Sequence, residues 1–172
     1  MLPFGHAGAA YLLTEPVKKL SVRELLLILL SSVILDFDLI VSFFTQRSHH
    51  DLITHTPLGA IAIGLVLVFI FKKTLSRPAK VLIFLALFSH LLLDETGFWF
   101  HQLGWQTITD QPQINWLYPL TPFPVRTETV SFSFFLVEYL TKAKADVLAE
   151  VVLFVSALIL FLKHYEKRNR PS

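Results

Sequence analysis

The sequence predicts an all-α fold: an integral membrane helical bundle of about four spans, plus an N-terminal half-helix. Three observations lead there. The 172 residues are 53% hydrophobic and only 16% charged, with a mean hydropathy of +0.58, so much of the surface must meet something other than water. Several long apolar runs carry no charge on any helical face, and a helix that is apolar all round is either deeply buried or in lipid. Finally, Lys and Arg cluster at one set of helix ends, while His6, Asp36, Asp38, His50, His55, His90 and Asp94 occupy the other. Core helices of a soluble all-α protein are the competing reading. A small domain has too little interior to hide four such helices.

The elements follow in order. Residues 4–14 are read as a half-helix that returns antiparallel to the next, with Lys18 and Lys19 at the turn; Pro3, Gly5, His6 and Glu15 interrupt the hydrophobicity a signal peptide would need. Ser21, Val22, Arg23 and Glu24 form a capping box, so a helix begins there and runs through residues 25–35. Thr56 and Pro57 supply an N-cap and a proline at the first helical position, opening a helix that continues to Phe71. A third helix covers about residues 79–93 and a last one about residues 146–162. The stretch from about 97 to 145 holds Trp99, Trp105 and Trp116 and reads as an interfacial segment, since amphipathic rings are most stable at headgroup depth. Residues 1–172 are expected to form a single domain.

Orientation comes from the cations. Lys18, Lys19, Arg23, Lys72, Lys73, Arg77, Lys80, Lys163, Lys167, Arg168 and Arg170 fall on one side of four alternating spans, and Arg47, Arg126, Lys142 and Lys144 on the other. That bias places the first group in the cytoplasm. The His/Asp ends then face away from the cytoplasm. A net charge of +2 with no basic stripe excludes nucleic acid as a partner.

The same polar residues carry the chemistry. The absence of cysteine leaves His, Asp and Glu as the strong metal ligands. His90 and Asp94, four apart, stack on one helix face and can hold one ion. Ionisable residues in a membrane segment are a functional hypothesis by default, because burying them unpaired is costly. Asp36 and Asp38 point to nearly opposite faces unless the helix loosens between them. His50 and His55 sit on a loop entering a helix, and imidazoles with carboxylates suit one or two ions of zinc, manganese or iron type. His49 is expected to face elsewhere, His164 to lie on the cytoplasmic surface, and His101 is a weak candidate for proton transfer.

Gly5-His6, Asp36-x-Asp38, His50-x-x-x-Thr54-His55-Thr56 and Ser89-His90-x-x-x-Asp94 resemble, in order, the motifs of the YdjM-like family of LexA-regulated, inner-membrane-associated predicted metal-dependent hydrolases. Trp116-Leu117-Tyr118-Pro119 resembles that family's aromatic-proline motif, and Glu150 its glutamate at the start of the last helix. The chain departs from the pattern at Leu35, at Asp51 and in the early arrival of Gly97. The resemblance implies a membrane-bound metal-dependent hydrolase cleaving a phosphoester or ester bond in a lipid-like substrate. His6, Asp36, His50, His55, His90 and Asp94 are then the expected ligands of a divalent metal, zinc foremost, with Asp38 or Glu95 as base and Arg126 binding phosphate. The alternatives are a metal-stapled membrane protein without enzymatic activity and a divalent-cation transporter. A structural site is coordinatively closed, and a transporter places its ligands near mid-bilayer.

Overall fold

The structure, a computed structural model, describes residues 2–17, 19–45, 48–105, 107, 110–122, 137 and 139–169. They are helical, with no strand among them. In chain order the helices are α1 (Pro3–Thr14), α2 (Val22–Val33), α3 (Leu39–Thr45), α4 (Pro57–Ile70), α5 (Arg77–Asp94), α6 (Thr96–Gln102) and α7 (Lys144–Asn169). Three 3-10 turns, Ile34–Asp38, His49–Asp51 and Ile53–His55, join α2 to α4 around α3.

Local chemistry sets the helix starts. Ser21 Oγ accepts from the Glu24 backbone N–H at 3.2 Å, and Glu24 accepts from the Ser21 N–H at 2.8 Å, the expected reciprocal cap of α2. The other Glu24 oxygen accepts from the backbone N–H of Ser76 at 2.7 Å, next to the start of α5. One carboxylate thus ties the beginnings of α2 and α5 together. At α4, Thr56 Oγ accepts from Gly59 N–H at 3.1 Å, as the Thr-Pro pair predicts.

α5 is the axis of the bundle. It packs on α1, α2 and α4, while α1 also lies along α2 and α7. Ala10, Ile28, Ala60, Ile83, Ala86, Leu87 and Leu91 are fully buried between them. Small residues let the helices approach: a side-chain carbon added at Gly8 would stand 3.0 Å from the Leu153 backbone of α7.

The expected spans are met in part. Among the described residues two helical stretches are long and apolar enough to cross a membrane, Arg77–Gln102 and Lys144–Glu166, with mean hydropathies of 1.6 and 2.4. α2 and α4 have 12 and 14 residues, or roughly 18 and 21 Å at 1.5 Å per residue against a hydrocarbon core of about 30 Å. The physical reason is visible at Val33, where the α-helix gives way to the 3-10 turn Ile34–Asp38 before the apolar run ends. The boundaries of α5 and α7 also extend past those predicted, and α3 and α6 were not anticipated.

Candidate metal centre

The polar ends of α1, α2, α5 and the turns before α4 meet in one buried cluster. His6, His55 and His90 have no exposed surface, and Asp94 is 6% exposed. The elements explain the convergence. The change to 3-10 geometry after Val33 turns Asp36 toward His90, whose Nε2 lies 3.6 Å from Asp36 Oδ1. His90 and Asp94 share a face of α5, with His90 Nε2 3.0 Å from Asp94 Oδ2. α1 lays the His6 ring on that of His90, centroids 3.8 Å apart, with His6 Nε2 3.2 Å from Asp94 Oδ1.

Each residue of Thr54-His55-Thr56 has its own task. Thr54 donates its hydroxyl proton to Asp38, His55 Nδ1 meets Asp38 Oδ2 at 2.7 Å, and Thr56 caps α4. Gly59 makes this possible, because any side chain there would collide with the Ile53 carbonyl. The turn carrying His55 therefore rests directly on the first turn of α4. His50 stands edge-on to His55, with ring centroids 5.1 Å apart.

The tautomers follow from the partners. His90 Nδ1 is 2.7 Å from the carbonyl of Ser32, which can only accept, so Nδ1 carries the proton. The carbonyls in the last turn of a helix lack intrahelical partners, and Ser32 is in that turn of α2. Asp38 likewise accepts from His55 Nδ1. The two inner nitrogens, His90 Nε2 and His55 Nε2, face each other at 3.3 Å beside Asp94. In the neutral rings both present lone pairs. Such convergence of acceptors is what a cation satisfies, and a carboxylate or carbonyl behind each imidazole is the support that metal-binding histidines use.

Electrostatics agree. Burial pushes the Asp36 carboxyl up to about 6, against the pull of the His90 imidazole. Burial alone would lower His55, but hydrogen bonds and charge from Asp38 and Asp94 outweigh it and push the imidazole up to about 9. Burial pushes the His6 imidazole down to about 3, against the pull of Asp94, so positive charge is drawn to the His55 side of the cluster. Among the described residues His6 Nδ1 and Asp36 Oδ2 are buried without hydrogen-bond partners, as side chains awaiting an ion would be.

Three overlapping triads could hold a metal: His6, His90 and Asp94; Asp36, His55 and His90; His50, His55 and Asp94. Together they contain the six ligands expected from the sequence. A family model described as YdjM inner membrane protein matches residues 1–170. The chain belongs to that family. No curated protein and no solved structure matches it.

Other residues of this YdjM-family chain stand differently from expectation. Asp38 Oδ2 is engaged by Thr54 and His55 behind the cluster, as an orienting carboxylate is, while its Oδ1 is buried without a hydrogen-bond partner among the described residues. Glu95, 2% exposed, accepts from the backbone N–H groups of Gln113 and Ile114 at 2.7 and 3.1 Å. Its carboxylate pins the segment bearing Trp116-Leu117-Tyr118-Pro119 onto the end of α5. Asn115 closes that segment through Thr121 and Pro122, and the Tyr118–Pro119 bond is cis. Arg126 and the side chain of His49 lie outside the described residues. His101 and His164 are exposed, away from the cluster. The sequence reading missed the carbonyl of Ser32, the hydroxyl of Thr54 and the space made by Gly59. Thr54 stood in a quoted motif, whereas a backbone carbonyl leaves no signal in residue identity.

Proposed function

We propose that the chain is a multi-pass inner-membrane, metal-dependent hydrolase that cleaves a phosphoester or ester bond of a lipid-like substrate. The observation that carries the reading is the pair of inner imidazole nitrogens, 3.3 Å apart, whose outer nitrogens are both committed to acceptors. A bound divalent ion would make water acidic enough to ionise near neutrality and would polarise a phosphoryl or acyl oxygen. Imidazole-rich, carboxylate-bearing sets favour zinc, with manganese or iron as the other fits. Six side chains exceed the four-coordinate preference of one zinc, which supports two ions.

The residues divide the work. His6, Asp36, His50, His55, His90 and Asp94 hold the metal. Asp38 and the Ser32 carbonyl keep His55 and His90 in the tautomer that offers Nε2 inward. Arg126 remains the proposed contact for a substrate phosphate. The spans are proposed as α5 and α7 with the shorter α2 and α4, residues 1–172 forming one domain. The eleven-to-four cation bias supports a cluster on the non-cytoplasmic side. Exposed Leu65, Phe69, Val152, Phe154 and Leu158 suit contact with acyl chains, and Trp99, Trp105 and Trp116, 38% exposed or more, suit the headgroup layer.

The test is elemental analysis of purified protein alongside turnover of phosphoester and carboxylester substrates in micelles and bilayers. Activity should vanish on chelation and return with Zn²⁺ or Mn²⁺. The complete burial of His6, His55 and His90 favours one second reading, a structural metal that staples the helices. In that case chelation destabilises the protein and no substrate turns over at any pH.

A further inference from the structure

Hydrolysis needs a proton for the departing oxygen as well as an activated water, and the six cluster side chains are the proposed ligands of the ion. Asp38 Oδ2 holds His55, and Glu95 holds the backbone of Gln113 and Ile114. A second carboxylate pair lies outside the cluster. Asp146 and Glu150, four residues apart on one face of the first turns of α7, are 4% and 7% exposed. Because α7 has 26 residues, roughly 39 Å of helix, these first turns project beyond a hydrocarbon core of about 30 Å.

The two carboxylates are supported unequally. Glu150 Oε1 accepts the hydroxyl proton of Tyr139 at 2.7 Å and the backbone N–H of Leu2, so two donors stabilise its charge. Asp146 has no comparable support. Its Oδ1 lies 3.5 Å from the hydroxyl of Thr96, whose single proton is directed at the Leu93 carbonyl 2.6 Å away. Its Oδ2 is buried with no hydrogen-bond partner among the described residues. The side-chain charges nearest it along the chain and its contacts are acidic: Glu150 one turn along α7, with Asp94 and Glu95 directly before Thr96; the N-terminal ammonium is the cation whose charge reaches it. Lys142 and Lys144 are exposed. Among the described residues no side-chain cation pairs with this carboxyl, one of its oxygens is unpartnered, and burying a charge held so loosely is costly, so the neutral acid is the form the site favours. Contact with Thr96, two residues after Asp94, brings that acid to the end of α5 that carries Asp94.

We infer that Asp146 is the general acid of this centre, delivering its carboxyl proton to the leaving oxygen of the ester. The inference rests on the hydrolase reading. Water oxygen forms the new bond to phosphorus or carbon, the bond to the leaving oxygen breaks with its electron pair, and the Asp146 proton neutralises that oxygen. The proton lost by the attacking water restores the carboxyl. One water is consumed, and an alcohol and an acid are released.

The test compares wild type with Asp146→Asn, both full-length, zinc-loaded and in phospholipid nanodiscs, on matched alkyl and p-nitrophenyl esters. A general acid matters only where the leaving oxygen is basic. The alkyl ester should lose roughly 10²–10⁴-fold in kcat/KM while the p-nitrophenyl ester is nearly unchanged. Bound zinc should stay the same. The infrared spectrum at neutral pH should show the C=O stretch of a protonated carboxyl, lost in Asp146→Asn and kept in Glu150→Gln. Equal losses on both esters, no loss on either, loss of zinc, or a carboxyl band indifferent to Asp146→Asn would overturn the assignment while the hydrolase reading stands. A zinc-loaded wild type inactive on both esters overturns the hydrolase reading and the acid with it.

Discussion

His90 connects three parts of the chain: its Nδ1 is held by Ser32 of α2, its ring lies against His6 of α1, and its Nε2 faces Asp94 of α5 and His55 of the turn before α4. His90→Ala and Asp94→Ala should each abolish metal retention, measured by elemental analysis after desalting, whereas the exposed His164→Ala should keep full occupancy. Asp38 acts one step removed. Asp38→Ala should weaken metal affinity about 10–100-fold without abolishing it, and Asp38→Asn, which can still accept from His55, should weaken it less. Retention of wild-type affinity by Asp38→Ala would show that His55 needs no partner at its outer nitrogen. The ligands themselves were legible because residue type and short spacing carry them: an i,i+4 pair in His90 and Asp94, and histidines before a Thr-Pro helix start. The jobs of Asp38 and Glu95 were not. Both depend on contacts across 16 to 19 residues of chain, and a carboxylate looks the same in sequence whether it is a base, an orienting partner or a clamp.

Among the elements, the starts of helices were the most legible and their ends the least. Capping side chains advertise a start, but nothing in residues 25–35 announces that α-geometry tightens into a 3-10 turn at Ile34. The short helices α3 and α6 lack room for a periodic pattern, so they too escaped the sequence. Glu24 caps α2 and also binds the Ser76 backbone, so Glu24→Ala removes partners from part-buried N–H groups at two helix starts. It should cost about 1–3 kcal/mol, read as a lowered thermal midpoint in detergent. Gly59→Ala tests a different dependence. The new methyl group collides with the Ile53 carbonyl and pushes the turn Ile53–His55 off α4, so the variant should lose metal while keeping its helical circular dichroism. A variant that binds metal normally would show that the turn does not need this contact.

For the molecule as a whole, the Lys/Arg distribution forecasts topology. A reporter fused after Arg170 should be cytoplasmic and one inserted near Gln111 should lie outside. The reverse result would move the cluster to the cytoplasmic face. The packing of α1 on α7 bears on how such a protein is made. His6 leaves the ribosome well over a hundred residues before the helix on which α1 rests, Lys144–Asn169, and the Leu2 N–H reaches its acceptor only when Glu150 exists. All six ligands are therefore made while α1 still lacks its support, and the cluster closes only once α7 has been added. Metal capture then waits on α7, and a filled site marks a chain whose first and last described helices have met.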